Sequence, residues 1–177
     1  MSLPLHLIRR FFMSLRGRSP SEFDLSWATG LLSGPERELF LRMSASDRAH
    51  SIDVSRRVSA GASDFEPHVL NTMLVAALLH DVGKIEADAG VALRVVATLC
   101  ESLRLAGPLG RWIQASGPLG RLARQLQYPV LGAQLLVDID SDVLVSTWAR
   151  EHHRPRGDWS VPLDVGEVLR RADEAAS

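Results

Sequence analysis

Ala76-Ala77-Leu78-Leu79-His80-Asp81-Val82-Gly83-Lys84-Ile85 is an apolar run that stops abruptly at an imidazole beside a carboxylate. Upstream, Leu70, Met73, Leu74, Ala77 and Leu78 recur at helical spacing, and Pro67 suits a first helical turn. The spacing predicts a helix from Pro67 to His80, ended or bent at Val82-Gly83. Burying Leu74 to Leu79 brings His80 and Asp81 to the edge of a core, where polar groups need partners. A divalent metal suits both, because imidazole and carboxylate are ligands of first-row ions. Adjacent residues of a regular helix point about 100° apart. Both reach one ion only if the backbone bends, and Gly83 makes a bend easy.

The helical period extends in both directions. Phe23, Leu25, Trp27, Leu31 and Leu32 predict a helix over 22–32, and Ser33-Gly34-Pro35 restarts the chain into another over 35–43. Ser46 is the expected N-cap of a helix over 47–60. Val91, Val95, Leu99 and Leu103 predict one over 88–105. Gly107-Pro108-Leu109-Gly110-Arg111 and Gly117-Pro118-Leu119-Gly120-Arg121 echo each other and read as turns before short helices. Helices are expected at about 130–137, 141–153 and 162–175, with Asp140 or Ser141 capping the second and Pro162 in the opening turn of the third. No segment alternates as a strand does, so the class is all-α.

The 177 residues fit one domain. With 46% hydrophobic and 23% charged residues the chain can pack a core, and a net charge of −1 argues against bulk nucleic-acid binding. Cys100 is the sole cysteine, so there is neither an internal disulfide nor a thiolate zinc site, and a reducing compartment such as the cytoplasm is expected. Of the 20 basic residues only Lys84 is a lysine, which draws attention to its neighbourhood. No apolar run is long enough to span a bilayer. Residues 1–20 read as an amphipathic helix packed on a domain formed by 21–177. The alternative is an interfacial helix, touching a membrane surface weakly through 1–18.

Two further residues face inward. His50 shares its helix face with Val54 and Val58, and Asp53 at i+3 is placed to accept a proton from its ring. Asp173 follows Leu169 by four residues on the last helix, so its carboxylate lies on an apolar face and needs a charge partner or a metal. Taken singly these have plainer readings: a packed core histidine, a solvated acid, a helix end. The order His, His-Asp, distant Asp is more specific.

That order resembles the HD-domain superfamily of metal-dependent phosphohydrolases, over about residues 47–175 and most specifically at His80-Asp81-x-Gly83-Lys84. The resemblance implies an HD-domain helical bundle holding a divalent metal through His50, His80, Asp81 and Asp173. A second layer is partial. Glu151-His152-His153-Arg154 is similar to a later landmark of branches that bind two or three metals. However, Tyr128 stands where those branches carry a histidine, and Ser46 where some carry a glutamate. The GYP signature is not recognisable in Arg154-Pro155-Arg156-Gly157-Asp158-Trp159. These departures remove ligands beyond the first metal and point away from cyclic-dinucleotide hydrolysis.

The expected reaction is hydrolysis of a phosphate ester of a nucleotide or similar small molecule, with one divalent ion (Mn, Fe, Ni, Co, Zn or Mg). Asp81 would orient water or take its proton. Lys84 would pair with phosphate or with an acid such as Glu86. His152 or His153 would protonate the leaving group. Arg154 and Arg156 would clamp phosphate oxygens, unless they simply form an exposed loop. The competing class is a catalytically degenerate HD-fold signalling or interaction module.

Overall fold

The structure is a computed structural model, described here for residues 19–87 and 112–176. The expectations for residues 1–18, for helix 88–105, for Cys100 and for Gly107 to Arg111 lie outside the described residues.

The fold is all-α, with no strand among the described residues. The helices are α1 (Glu22–Leu31), α2 (Gly34–Arg42), α3 (Ala45–Gly61), α4 (Pro67–Leu79), α5 (Lys84–Ala87), α6 (Gly117–Leu126), α7 (Tyr128–Asp138), α8 (Val143–Glu151) and α9 (Leu163–Ala176), with a 3-10 turn at Arg156–Asp158. None is long and apolar enough to cross a membrane.

α4 is the centre of the bundle. Met73 to Leu79 are all buried, as expected of a helix apolar all round. It packs against α3 and α8 and also touches α1, α2 and α9. Leu78 and Leu79 are fully buried, each stabilising the fold by about 1.5–3 kcal/mol. α9 lies on α3, and α7 lies on α8. Ser55 Oγ donates to the Leu74 carbonyl at 3.1 Å, satisfying a buried hydroxyl between α3 and α4.

Two expected caps move. Ser44, not Ser46, caps α3: its hydroxyl accepts from the Asp47 amide at 3.1 Å. Ser44-x-x-Asp47 begins the helix two residues early, leaving Ser46 inside it. Asp142, not Asp140 or Ser141, caps α8, accepting from the Leu144 amide at 2.8 Å. Asp140 instead terminates α7 in a left-handed conformation, φ 55°. Its amide bonds the Val137 carbonyl at 3.1 Å, and the Ser141 amide bonds the Leu136 carbonyl at 3.0 Å. This is a Schellman closure. Ser141 then donates its hydroxyl to Glu36 Oε1 at 2.6 Å, tying this corner to α2.

Candidate metal centre

Between α4 and α5 the chain winds in successive i+3 bonds: Val82 N–H to Leu79 O, Lys84 N–H to Asp81 O, Ile85 N–H to Val82 O. This tight winding turns His80 and Asp81 inward together. Gly83 lies in the expected bend and also has a second role there. A β-carbon there would sit 1.9 Å from the Tyr128 carbonyl oxygen and 2.6 Å from the Gly132 nitrogen. Gly83 is what lets the turn press on the start of α7.

Three of the four expected ligands converge. One ligand atom each from His50 on α3, His80 at the end of α4 and Asp173 on α9 lies within 4.8 Å of the others. His50 Nε2 is 3.0 Å from Asp173 Oδ1, and His80 Nε2 is 3.9 Å from the same oxygen. Asp81 stands beside this group, with Oδ2 3.5 Å from His80 Nε2 and Oδ1 3.8 Å from His152 Nε2.

The ring orientations are fixed from behind. His80 Nδ1 donates to the Ala77 carbonyl at 2.8 Å, and His152 Nδ1 to the Ala149 carbonyl at 3.0 Å. A carbonyl only accepts, so each neutral ring carries its proton on Nδ1 and turns the Nε2 lone pair inward. Two buried lone pairs thus face carboxylate oxygens, an arrangement that a cation between them satisfies.

Burial pushes Asp81 toward its neutral form, but the Lys84 charge, with His80, His152 and His50, outweighs it and holds the carboxyl well below the usual range. Asp173 is likewise raised by burial and lowered further by the hydrogen bond from His50, to about 2. Burial lowers His50, yet the Asp173 hydrogen bond and the Asp81 and Asp173 charges leave it raised overall. Desolvation drives His152 well below its ordinary value, and His153 below its own. Both are therefore neutral at neutral pH, and His152, with its proton on Nδ1, presents no N–H to a leaving group.

Lys84 meets Asp81 rather than Glu86. Its ammonium bonds Asp81 Oδ2, lies 3.7 Å from Asp47 Oδ1, and sits 5.3 Å from the centre of the Tyr128 ring. Glu86 pairs instead with Arg42 at 3.3 Å. The Tyr128 hydroxyl joins the two histidines, 2.5 Å from His153 Nε2 and 3.3 Å from His152 Nε2. Asp53, expected behind His50, accepts from Arg57 at 3.2 Å. Arg154 pairs with Glu151 at 3.3 Å and Arg156 with Glu167 at 2.7 Å. Neither guanidinium is shown meeting the His/Asp cluster.

Asp47 and Glu151 are the residues that sequence reasoning missed. Asp47 reads as a routine helix-start acid, though its place one turn before His50 on the same face was a signal. Glu151 is buried and accepts from the Ser160 amide at 2.6 Å and the Ser160 hydroxyl at 2.9 Å. It thereby anchors the segment after His152 and His153.

No protein-family model, curated protein or solved structure matches the chain. The class defined by fold and site is an all-α bundle carrying a histidine–aspartate cluster able to hold a metal ion.

Proposed function

We propose that the chain is a metal-dependent phosphohydrolase of the HD-domain type, acting with one divalent ion on a phosphate ester of a nucleotide or similar small molecule. The observation that carries this reading is the convergence of His50, His80 and Asp173 from three separate helices, with Asp81 alongside. Their donors, two imidazoles and two carboxylates, are what a first-row divalent ion takes. His50, His80, Asp81 and Asp173 would hold it. Once bound, such an ion polarises a phosphoryl group and lowers the pKa of water.

The chain's own residues supply the rest. Asp81, held ionised, orients the attacking water or takes its proton. Lys84 places a fixed positive charge beside Asp81 and Asp47, where it can meet a phosphate oxygen. Tyr128 and His153 form a hydrogen-bonded pair that can relay a proton to the leaving oxygen.

A second reading is a catalytically degenerate module of the same fold. It is favoured by the Tyr128 hydroxyl engaging both histidines and by Arg154 and Arg156 each pairing with a glutamate. Hydrolysis of a panel of phosphate esters, with Mn, Fe, Ni, Co, Zn or Mg added, separates the two. The enzyme reading expects turnover in the wild type and its loss in Asp81→Ala with the helical fold intact. Firm metal binding with no ester cleaved supports the module.

A further inference from the structure

A cavity of about 420 Å³ opens beside the candidate centre, between the start of α1, one face of α3 and the end of α9. His50 belongs to both. A group held in the cavity is therefore next to one held by His50, His80 and Asp173. The volume lies in the range of small-molecule sites.

The walls mix polar side chains of both signs, Asp24, Asp53 and Arg56 with serine hydroxyls, and apolar ones, Pro20, Ala49 and Ile52. Asp24 is already engaged through both oxygens, by the Ser21 hydroxyl at 2.7 Å and by Arg56 at 2.7 Å. Arg56 is held in place by Asp24 and by the Trp27 ring, whose centre lies 4.5 Å from its guanidinium carbon. Asp53 bonds Arg57 through Oδ2 only; its Oδ1 has no partner among the described residues. The cavity thus offers one carboxylate acceptor, hydroxyls that both give and accept, and a guanidinium held by Asp24 and Trp27.

Each simple ligand class leaves something unmatched. An anion meets Arg56 but is repelled by Asp53. A cation meets Asp53 but is repelled by Arg56. A wholly apolar group covers Pro20, Ala49 and Ile52 but takes water from Asp53 and Arg56 without replacing its hydrogen bonds. A vicinal diol matches the set, since its O–H groups donate to a carboxylate while its oxygens accept from guanidinium and serine.

We infer that this cavity is the subsite for the sugar part of the phosphate ester, with Asp53 accepting from the sugar hydroxyls. The inference rests on the phosphohydrolase reading for what occupies the centre next door, and concerns its substrate class.

The test uses the full-length chain with Mn and compares ribose 5-phosphate with phenyl phosphate for the wild type, Asp53→Ala and Ala49→Leu. Ala49 lines the cavity, and leucine there fills it. The Asp53–Arg57 pair is exposed at 40% and 44%, so its loss leaves the fold in place, which a melting curve verifies. Both variants are expected to raise KM for ribose 5-phosphate about tenfold more than KM for phenyl phosphate. Equal changes for the two esters overturn the subsite while leaving the phosphohydrolase reading intact.

Ribose and adenosine, neither carrying phosphate, are titrated separately while the His50 ring resonances are followed by NMR. This reads the cavity without turnover. Saturable shifts in the wild type that disappear in Asp53→Ala support the subsite even if no ester is cleaved, and that second failure would count against the phosphohydrolase reading alone. Tighter binding of adenosine makes the occupant a nucleoside, and equal binding makes it a simple sugar. No shift with either compound overturns the inference.

Discussion

His50 Nε2 lies 3.0 Å from Asp173 Oδ1, joining residues 123 positions apart and so locking α9 onto α3 at the candidate centre. In metal-free protein this contact makes stability depend on pH. Asp173, held at about 2 against an ordinary 3.8, contributes stability that is present above 3.8 and lost as pH falls through about 2. His50, raised above 6.5, contributes stability that is present below 6.5 and lost as pH rises through its folded value. With metal removed by a chelator, the stability gap between wild type and Asp173→Asn is therefore widest between about pH 4 and 6.5, and narrows on both sides. Urea unfolding across that range measures it. A gap independent of pH contradicts the pairing.

Gly83→Ala is predicted to destabilise the fold by about 1–3 kcal/mol, lowering Tm by several degrees. The added β-carbon has only backbone to move, the Tyr128 carbonyl and the Gly132 amide. Backbone held at the start of α7 yields less readily than a flexible side chain. A thermal melt matching wild type would show that the turn and α7 separate freely.

Glu151→Ala is predicted to cost about 2–3 kcal/mol. It leaves the Ser160 amide and hydroxyl without the acceptor they now share. Hydrogen exchange at the Ser160 amide should accelerate well before the α4 amides do.

Tyr128→Phe keeps the ring near Lys84 and removes the hydroxyl that meets His152 and His153. Stability should change by less than about 1.5 kcal/mol, with metal stoichiometry unchanged. Under the phosphohydrolase reading, kcat falls while KM holds. An unchanged kcat would remove Tyr128 and His153 from the proton path.

Much of this was legible in the chain itself. The apolar run ending in His80-Asp81 marked the central helix and the site together, because a buried helix that stops at polar groups must satisfy them. His50 and Asp173 were legible from helical register alone, which places them facing inward. What register cannot show is which groups from other helices arrive. Lys84 was expected to meet a phosphate or a nearby acid such as Glu86; the local turn supplies Asp81 as that acid, and tertiary packing adds Asp47 from α3. Asp53 was expected behind His50 and turns to Arg57, one turn along the exposed side. The cap of α8 shifted to Asp142 because Asp140 closes α7, a choice made by the preceding helix, while the cap of α3 shifted to Ser44, whose hydroxyl takes the Asp47 amide. Gly83 was legible as important, but the reason, a close approach to α7, depends on a partner 45 residues later (128 − 83).

The most direct test is the metal content of purified protein by elemental analysis, for wild type beside His50→Ala and Asp173→Ala. About one divalent ion per chain in the wild type, lost from both variants while their helical circular dichroism is retained, is the predicted result. A wild type that holds no ion after incubation with Mn, Fe, Ni, Co or Zn would contradict the central claim, as would variants that hold as much as the wild type.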